Sequence, residues 1–264
     1  MTRRYWHDLP PAVRAAIEQR VGGVAGVRPV ATGSVSDLVA VLDTRDGQYF
    51  CKAVDGDNPL GWMHRNEARL NSYLPDRVPR LRWRIEQDGW LLLGFDHVPG
   101  RHPDLGVGSR DLPTISATLT AVADELTPGP PVRVQPATER WAGWIEPEMV
   151  DGQTLAHTDV SPRNVLLRCE GVAVVDWSMP CRGAAWVDTA LMVIRLIRAG
   201  HTASQAEAWA GAIPAWAAAR PEALDAFAAA IAALTRVRHQ QSPARHRAEL
   251  AAAAAHWSAH RTGS

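Results

Sequence analysis

The apolar pattern of this 264-residue chain changes once, and that change constrains the fold most. Two stretches, VRPVATGSVSDLVAVLDTRDGQYFCKAV and RLRWRIEQDGWLLLGFDHVPG, are short apolar runs broken by Gly/Ser or Asp-Gly turns. They read as strand–turn–strand units. From Asp188 onward Ala, Leu and Trp recur at helical spacing. Strands gathered in one half and helices in the other indicate an α+β fold. Two helices accompany the strands: LPPAVRAAIEQRVG, with Pro at its start and Gly after its end, and WMHRNEARLNSYLP, closed by Pro75. After the Pro/Gly-rich HVPGRHPDLGVGSRDLP come a helix in TISATLTAVADEL, a loop in PGPPVRVQP, and short strands in VLLR and VAVVDW that suggest a second hairpin. The terminal HRTGS reads as loose.

A chain of this length can bury a sizeable core as one large domain or two lobes. Its formal net charge of zero argues against a dedicated nucleic-acid binder. Three cysteines with no CxxC spacing suit reduced thiols in a cytoplasmic protein. MTRRYWHDLPP lacks the apolar core of a signal peptide, and no apolar run reaches the roughly 18 residues of a membrane span. The expectation is a cytoplasmic monomer or homodimer with neither nucleic acid nor membrane as partner.

The chain holds 27 arginines and one lysine, Lys52, in YFCKAV. Lysine is a compact point charge on a flexible stem, whereas arginine is a planar fork, so the two differ in how they meet a phosphate. The flanking residues predict a half-buried strand, and a charge there needs an anionic partner. LAHTDVSPRNVLL supplies the complementary chemistry. An Asp followed five residues later by Asn and then an apolar strand is the layout of a phosphoryl-transfer catalytic loop. Asp159 would accept the proton of an attacking hydroxyl, and Asn164 would hold Mg²⁺ through its amide oxygen. In VAVVDWSMP, Asp176 follows a buried strand and would ligate the same ion at the nucleotide phosphates. Glu67, fifteen residues after Lys52 on a predicted helix, is the candidate partner of the lysine. In the turn ATGSVSD, Gly33 would let backbone approach the phosphates, and Ser34 and Ser36 would add donors.

In these residues the chain resembles the aminoglycoside phosphotransferase family, within the wider protein-kinase-like fold. HTDVSPRN matches that family's H-G-D-x-x-x-x-N, DWSMP matches its magnesium segment, and Asp188 in AAWVDTALMV matches a further Asp opening the next helix. The likeness covers most of residues 30–195 and departs from the family at Thr158, which replaces a usual Gly, and at Ser161, where His is frequent. It implies a bilobal fold: a β-rich nucleotide-binding lobe over 1–94, a linker over 95–98, and a mainly helical catalytic and acceptor-binding lobe over 99–264. It also implies Mg²⁺ as cofactor and ATP or GTP as donor, with Gly94, Phe95 and His97 near the adenine, where backbone groups of residues 94–97 would bind. By the same resemblance His157 braces its loop. No A-P-E segment follows Asp176, and a dozen residues separate it from Asp188, which disfavours a protein kinase.

Plainer readings stand beside these. Asp159 and Asn164 could form an Asx-capped turn, Glu67 could be a solvated helix charge, and Arg163 could be solvated rather than stabilising a phosphoryl group. Asp188 could cap a helix or brace the loop. Trp141 and Trp144, three apart, could line an acceptor pocket, though core packing suits them better, and Trp177 should pack beneath Asp176. From Arg101 to His157 eight acids face four arginines, whereas after Asp188 four acids face eight arginines. A polycationic acceptor should want acids from both regions. A hydroxylated small molecule is therefore expected as partner: an antibiotic, whether aminoglycoside or a less cationic nucleoside, macrolide or peptide. A metabolite kinase, or a nucleotide-binding module without catalysis, is the alternative.

Overall fold

The computed structural model describes residues 4–30 and 35–263. The elements in chain order are α1 (Pro11–Val21), β1 (Val24–Pro29), β2 (Leu38–Thr44), β3 (Gly47–Asp55), α2 (Gly61–Leu70), β4 (Leu81–Gln87), β5 (Trp90–Asp96), α3 (Leu112–Glu125), α4 (Ala137–Arg140), α5 (Pro147–Val150) and β6 (Thr154–Ala156). There follow β7 (Val165–Arg168), β8 (Gly171–Val174), β9 (Cys181–Gly183), α6 (Val187–Arg198), α7 (Ala203–Ala210), α8 (Pro214–Ala217), α9 (Pro221–Gln241) and α10 (Arg245–Thr262). The chain divides into two compact units, one of residues 1–101 and 166–179, the other of 102–165 and 180–264. The architecture is the expected α+β, with an antiparallel sheet in the first unit and a mainly helical second unit.

The first unit is built on a five-stranded antiparallel sheet in the order β1-β2-β3-β5-β4. Its hairpins follow from local chemistry. Gln87 pairs with Trp90, so Asp88 and Gly89 form a two-residue loop with φ of 48° and 79°. Both central residues of such a turn need positive φ, which Asp-Gly supplies at low cost. Strand alternation then separates two faces. Cys51 and Ala53 of β3, with Leu38, Ala40, Leu42 and Leu92, join Leu9, Val13, Ile17 and Val21 from the N-terminal helix region in one core cluster. On the other face Val54, Leu91, Leu93 and Phe95 gather with Phe50, Leu81 and Ala68 of α2. Lys52 lies between Cys51 and Ala53 and points to the α2 face.

Gly94 is required by space. It pairs with Trp83, and a Cβ added at Gly94 would stand 1.9 Å from Trp83 Cε2. Trp83 is buried and cannot swing away. Gly94→Ala is expected to cost about 3 kcal/mol, the upper part of the usual overpacking range. A urea-unfolding midpoint equal to that of the parent protein would refute the argument.

The second unit centres on α6, α9 and α10. Phe227 of α9 is held edge-on between Trp141 and Trp186, at 5.1 and 5.2 Å between ring centroids. Trp141 is thus core, whereas Trp144 stands exposed in the turn after α4, so the two do not share a helix face. Two local expectations are corrected. The helix from Trp62 ends at Leu70 and tightens into a 3₁₀ turn over Asn71–Tyr73. The C-terminal residues are helical to Thr262, because Arg261 is anchored to Asp225 at 2.5 Å and Glu207 at 2.7 Å. No helix among the described residues is long and apolar enough to cross a membrane.

Candidate active site

In the first unit three charged side chains converge on the α2 face of the sheet. Lys52 Nζ donates to Glu67 Oε1 at 2.9 Å, to Glu67 Oε2 at 2.8 Å and to Asp176 Oδ1 at 2.9 Å. An ammonium has three N–H donors, and three carboxylate oxygens meet it. The ion also lies 5.7 Å over the Phe95 ring. Burial would push the lysine down, but Glu67 and Asp176 outweigh it and hold its pKa above the ordinary value, so it stays charged. Glu67 is not a solvated helix charge, since only 5% of its side chain is exposed, against 37% for Asp176.

Asp176 follows β8 with φ of 65°, a left-handed conformation that Asp tolerates better than most side chains. Asn66 Nδ2 reaches Ser178 O at 3.4 Å beyond it. Trp177 is buried, its Nε1 donating to Val174 O at 3.2 Å. Lys52 brings one positive charge to two carboxylates, of which Asp176 is the more exposed. The donor set therefore fits a divalent cation, which prefers carboxylate and amide oxygens. Among the described residues no group of three His, Cys, Asp or Glu side chains forms a metal site.

His64 is a residue the sequence reading missed. It lies three positions before Glu67 on α2, so the two share a helix face. Its Nε2 is 2.7 Å from Ser36 Oγ, which ties α2 to the segment before β2. Gly33 and Ser34 lie outside the described residues. Burial, followed by the Lys52 charge, pushes the His64 pKa down to about 4. The folded value lies below the ordinary 6.5, so protons bind preferentially to the unfolded chain as pH falls. Its contribution to stability is present above pH 6.5 and lost as pH falls toward 4. From pH 7 to pH 5 the parent protein should lose about 2 kcal/mol more stability than His64→Gln does. Equal losses in urea titrations at the two pH values would remove the argument.

At the end of β5, Gly94 and Phe95 are buried in the sheet, paired across to Cys51 and Phe50. The Asp96 amide donates to Arg80 O at 2.9 Å, and the His97 amide to Gln48 O at 3.3 Å.

In the second unit the loop after β6 carries Asp159. Asp188, in the first turn of α6, accepts the backbone N–H groups of His157 and Thr158, each at 2.7 Å. Of the two roles open to Asp188, it braces the loop. Burial pushes its carboxyl up, while His157 and the two N–H bonds pull the other way. Thr158 has φ of 63°, so the position where the resembled family carries glycine does need a left-handed backbone, here occupied under strain by a β-branched residue. His157 is fully buried, and its Nδ1 accepts the Asp159 N–H at 3.2 Å. Asn164 Nδ2 donates to Asp159 O at 2.9 Å and Asp159 Oδ2 at 3.2 Å, so these bonds engage its amide nitrogen and not its carbonyl oxygen. Arg195 of α6, a second residue the sequence reading missed, places Nη2 at 2.8 Å from Asp159 Oδ1. Its signal was spacing: it lies two helical turns after Asp188 and shares its face.

The description "Phosphotransferase enzyme family" matches residues 60–221, more than half of the chain. No curated protein matches in sequence. Among solved structures, the chain is similar to a thermostable mutant of aminoglycoside phosphotransferase APH(4)-Ia in ternary complex with ADP and hygromycin B. The TM-score is 0.64 at 14% identity, over 95% of this chain and 98% of that one. It is also similar to the choline kinase LicA from Streptococcus pneumoniae, with a TM-score of 0.62 at 13% identity, over 94% and 99% of the two chains. At these identities the likeness establishes a shared kinase-like fold.

Proposed function

This chain belongs to the phosphotransferase enzyme family and is a small-molecule phosphotransferase, and we propose that it moves the γ-phosphoryl group of ATP or GTP to a hydroxyl of a small molecule such as an antibiotic. The observation that carries the reading is the Lys52–Glu67–Asp176 cluster. A structural ion pair needs one carboxylate. A lysine shared between a buried and an exposed carboxylate is suited to hold phosphates beside a metal-bearing Asp. Structures with this fold have been described with ADP and hygromycin B and, separately, as a choline kinase, which supports a nucleotide donor and a small hydroxylated acceptor.

In this reading Glu67 orients Lys52, which anchors the donor phosphates, and Ser36, backed by His64, adds a donor. Gly33 and Ser34 keep the phosphate-loop role read from the sequence, and Gly94, Phe95 and His97 border the adenine. Asn164 and Asp176 would hold Mg²⁺, which when bound neutralises charge on the phosphates. Asp159 accepts or orients the proton of the acceptor hydroxyl, held in place by Asn164 and Arg195. Catalysis is then positioning and charge stabilisation. The proposed setting is cytoplasmic. Incubation with Mg²⁺, ATP or GTP and a panel of hydroxylated antibiotics should yield a product heavier by one phosphoryl group in mass spectrometry. Failure to bind either nucleotide would overturn the reading.

A further inference from the structure

We propose that Arg195 sets the charge class of the acceptor: the hydroxyl compound presented to Asp159 carries a carboxylate or phosphate group that Arg195 holds, and it is not a polycation. This rests on the phosphotransferase reading and narrows it. Arg195 is a built-in cation, with 18% of its side chain exposed, behind an Asp159 side chain that is 55% exposed. One of its five N–H donors is used on Asp159, and Nε is buried with no hydrogen-bond partner. The guanidinium is therefore unsaturated, beside the carboxylate that an acceptor hydroxyl must approach. Donors to spare in a planar fork are matched by a carboxylate or phosphate.

The surrounding charges point the same way. Arg140, at the end of α4, lies in the fields of both Asp159 and Arg238. Burial is the largest cause disfavouring the cationic form of Arg195, Arg140 and Arg238; Asp159 offsets it at Arg195 and Cys181 at Arg140, and the charges of Arg198, Arg238 and Arg247 respectively add to it. An anion beside Arg195 would relieve that cost, and an ammonium would add to it.

Seven of the acids in and around these two stretches are engaged elsewhere. Glu207 accepts Arg261 and Trp257, Asp225 accepts Arg261, and Glu249 accepts Arg198 and Arg245. Asp188 is spent on the backbone of the Asp159 loop. Before that loop, Asp104, Asp111 and Asp151 accept backbone N–H groups at 2.9 Å. The acid-rich stretch from Arg101 to His157 therefore offers fewer open carboxylates than its composition suggests.

The test is calorimetric titration of the protein saturated with AMP-PNP and Mg²⁺, so that the phosphate site is filled. Glycerol 3-phosphate and glucose 6-phosphate are compared with glycerol, glucose and hygromycin B. The phosphate esters should bind at least tenfold more tightly than their neutral counterparts, and hygromycin B more weakly than either ester. Arg195→Gln should remove that preference, Arg195→Lys should restore part of it, and AMP-PNP affinity should stay unchanged in both. Arg245→Gln, on the solvent-facing side of α10, should change nothing. Esters that bind no better than the neutral compounds, or a preference that survives in Arg195→Gln, would overturn the inference. So would tighter binding of hygromycin B. Failure of AMP-PNP to bind would instead remove the phosphotransferase reading beneath it.

Discussion

Asp159→Ala is expected to lower turnover by about 10²- to 10⁴-fold, the range a positioned general base contributes. Nucleotide affinity should stay within about twofold, because Asp159 faces the acceptor chemistry and not the donor in this mechanism. The geometry sharpens the expectation. Asp159 is exposed on one side and fixed on the other by Arg195 at 2.8 Å and Asn164 at 3.2 Å. Asp159→Asn preserves shape and should be nearly as damaged as the alanine variant, since an amide cannot accept the proton. Single-turnover assays by mass spectrometry, paired with calorimetric nucleotide titration, read both quantities. Full turnover in Asp159→Asn would show that the carboxylate is not the base. A joint loss of turnover and nucleotide binding would mean that the loop is a structural brace.

The second large effect lies at the lone lysine. Lys52→Met removes the ammonium that Glu67 and Asp176 share and takes its hydrogen bonds from the buried Glu67 carboxylate. Breaking a buried pair from one side costs about 3–5 kcal/mol, and a loss in that range is expected by urea unfolding. Turnover should also fall by two orders of magnitude or more, about 3 kcal/mol of transition-state stabilisation. Adding Glu67→Gln separates the roles. The double variant Lys52→Met/Glu67→Gln should recover a large part of the lost stability, because the buried charge is gone, yet regain no activity. Recovery of both together would make the lysine a purely structural ion-pair partner. Lys52→Arg should not rescue activity, because a planar fork cannot place one point charge against three oxygens already in contact.

The strands, the helical tail and the grouping of the candidate site residues were legible in the chain because each is written in local signals. Asp88-Gly89 dictates its own turn, alternation in β3 buries Cys51 and Ala53 on one face, and the D-x-x-x-x-N spacing sets Asp159 and Asn164 on one loop. Lys52 and Glu67 were paired on an expectation of mechanism, and the structure joins them at 2.8 Å. Local signals did not reach the end of the chain. The terminal residues hold their helix through Arg261, whose partners Glu207 and Asp225 are 54 and 36 residues away.

By itself the sequence determined the fold class, the element types and the residue kinds suited to phosphoryl transfer. These follow from periodicity, turn chemistry and side-chain functional groups, which are properties of neighbouring residues. Only the tertiary structure decided how the charges are distributed. It assigned Asp188 to the backbone of the Asp159 loop, His64 to Ser36 and Arg195 to Asp159, and it committed Glu207, Asp225 and Glu249 of the tail to arginines. A count of charges along a chain cannot separate a carboxylate already neutralised by a guanidinium from one open to a ligand. That distinction depends on distances of about 3 Å between residues far apart in sequence, and a hydrogen bond is made or lost on that scale.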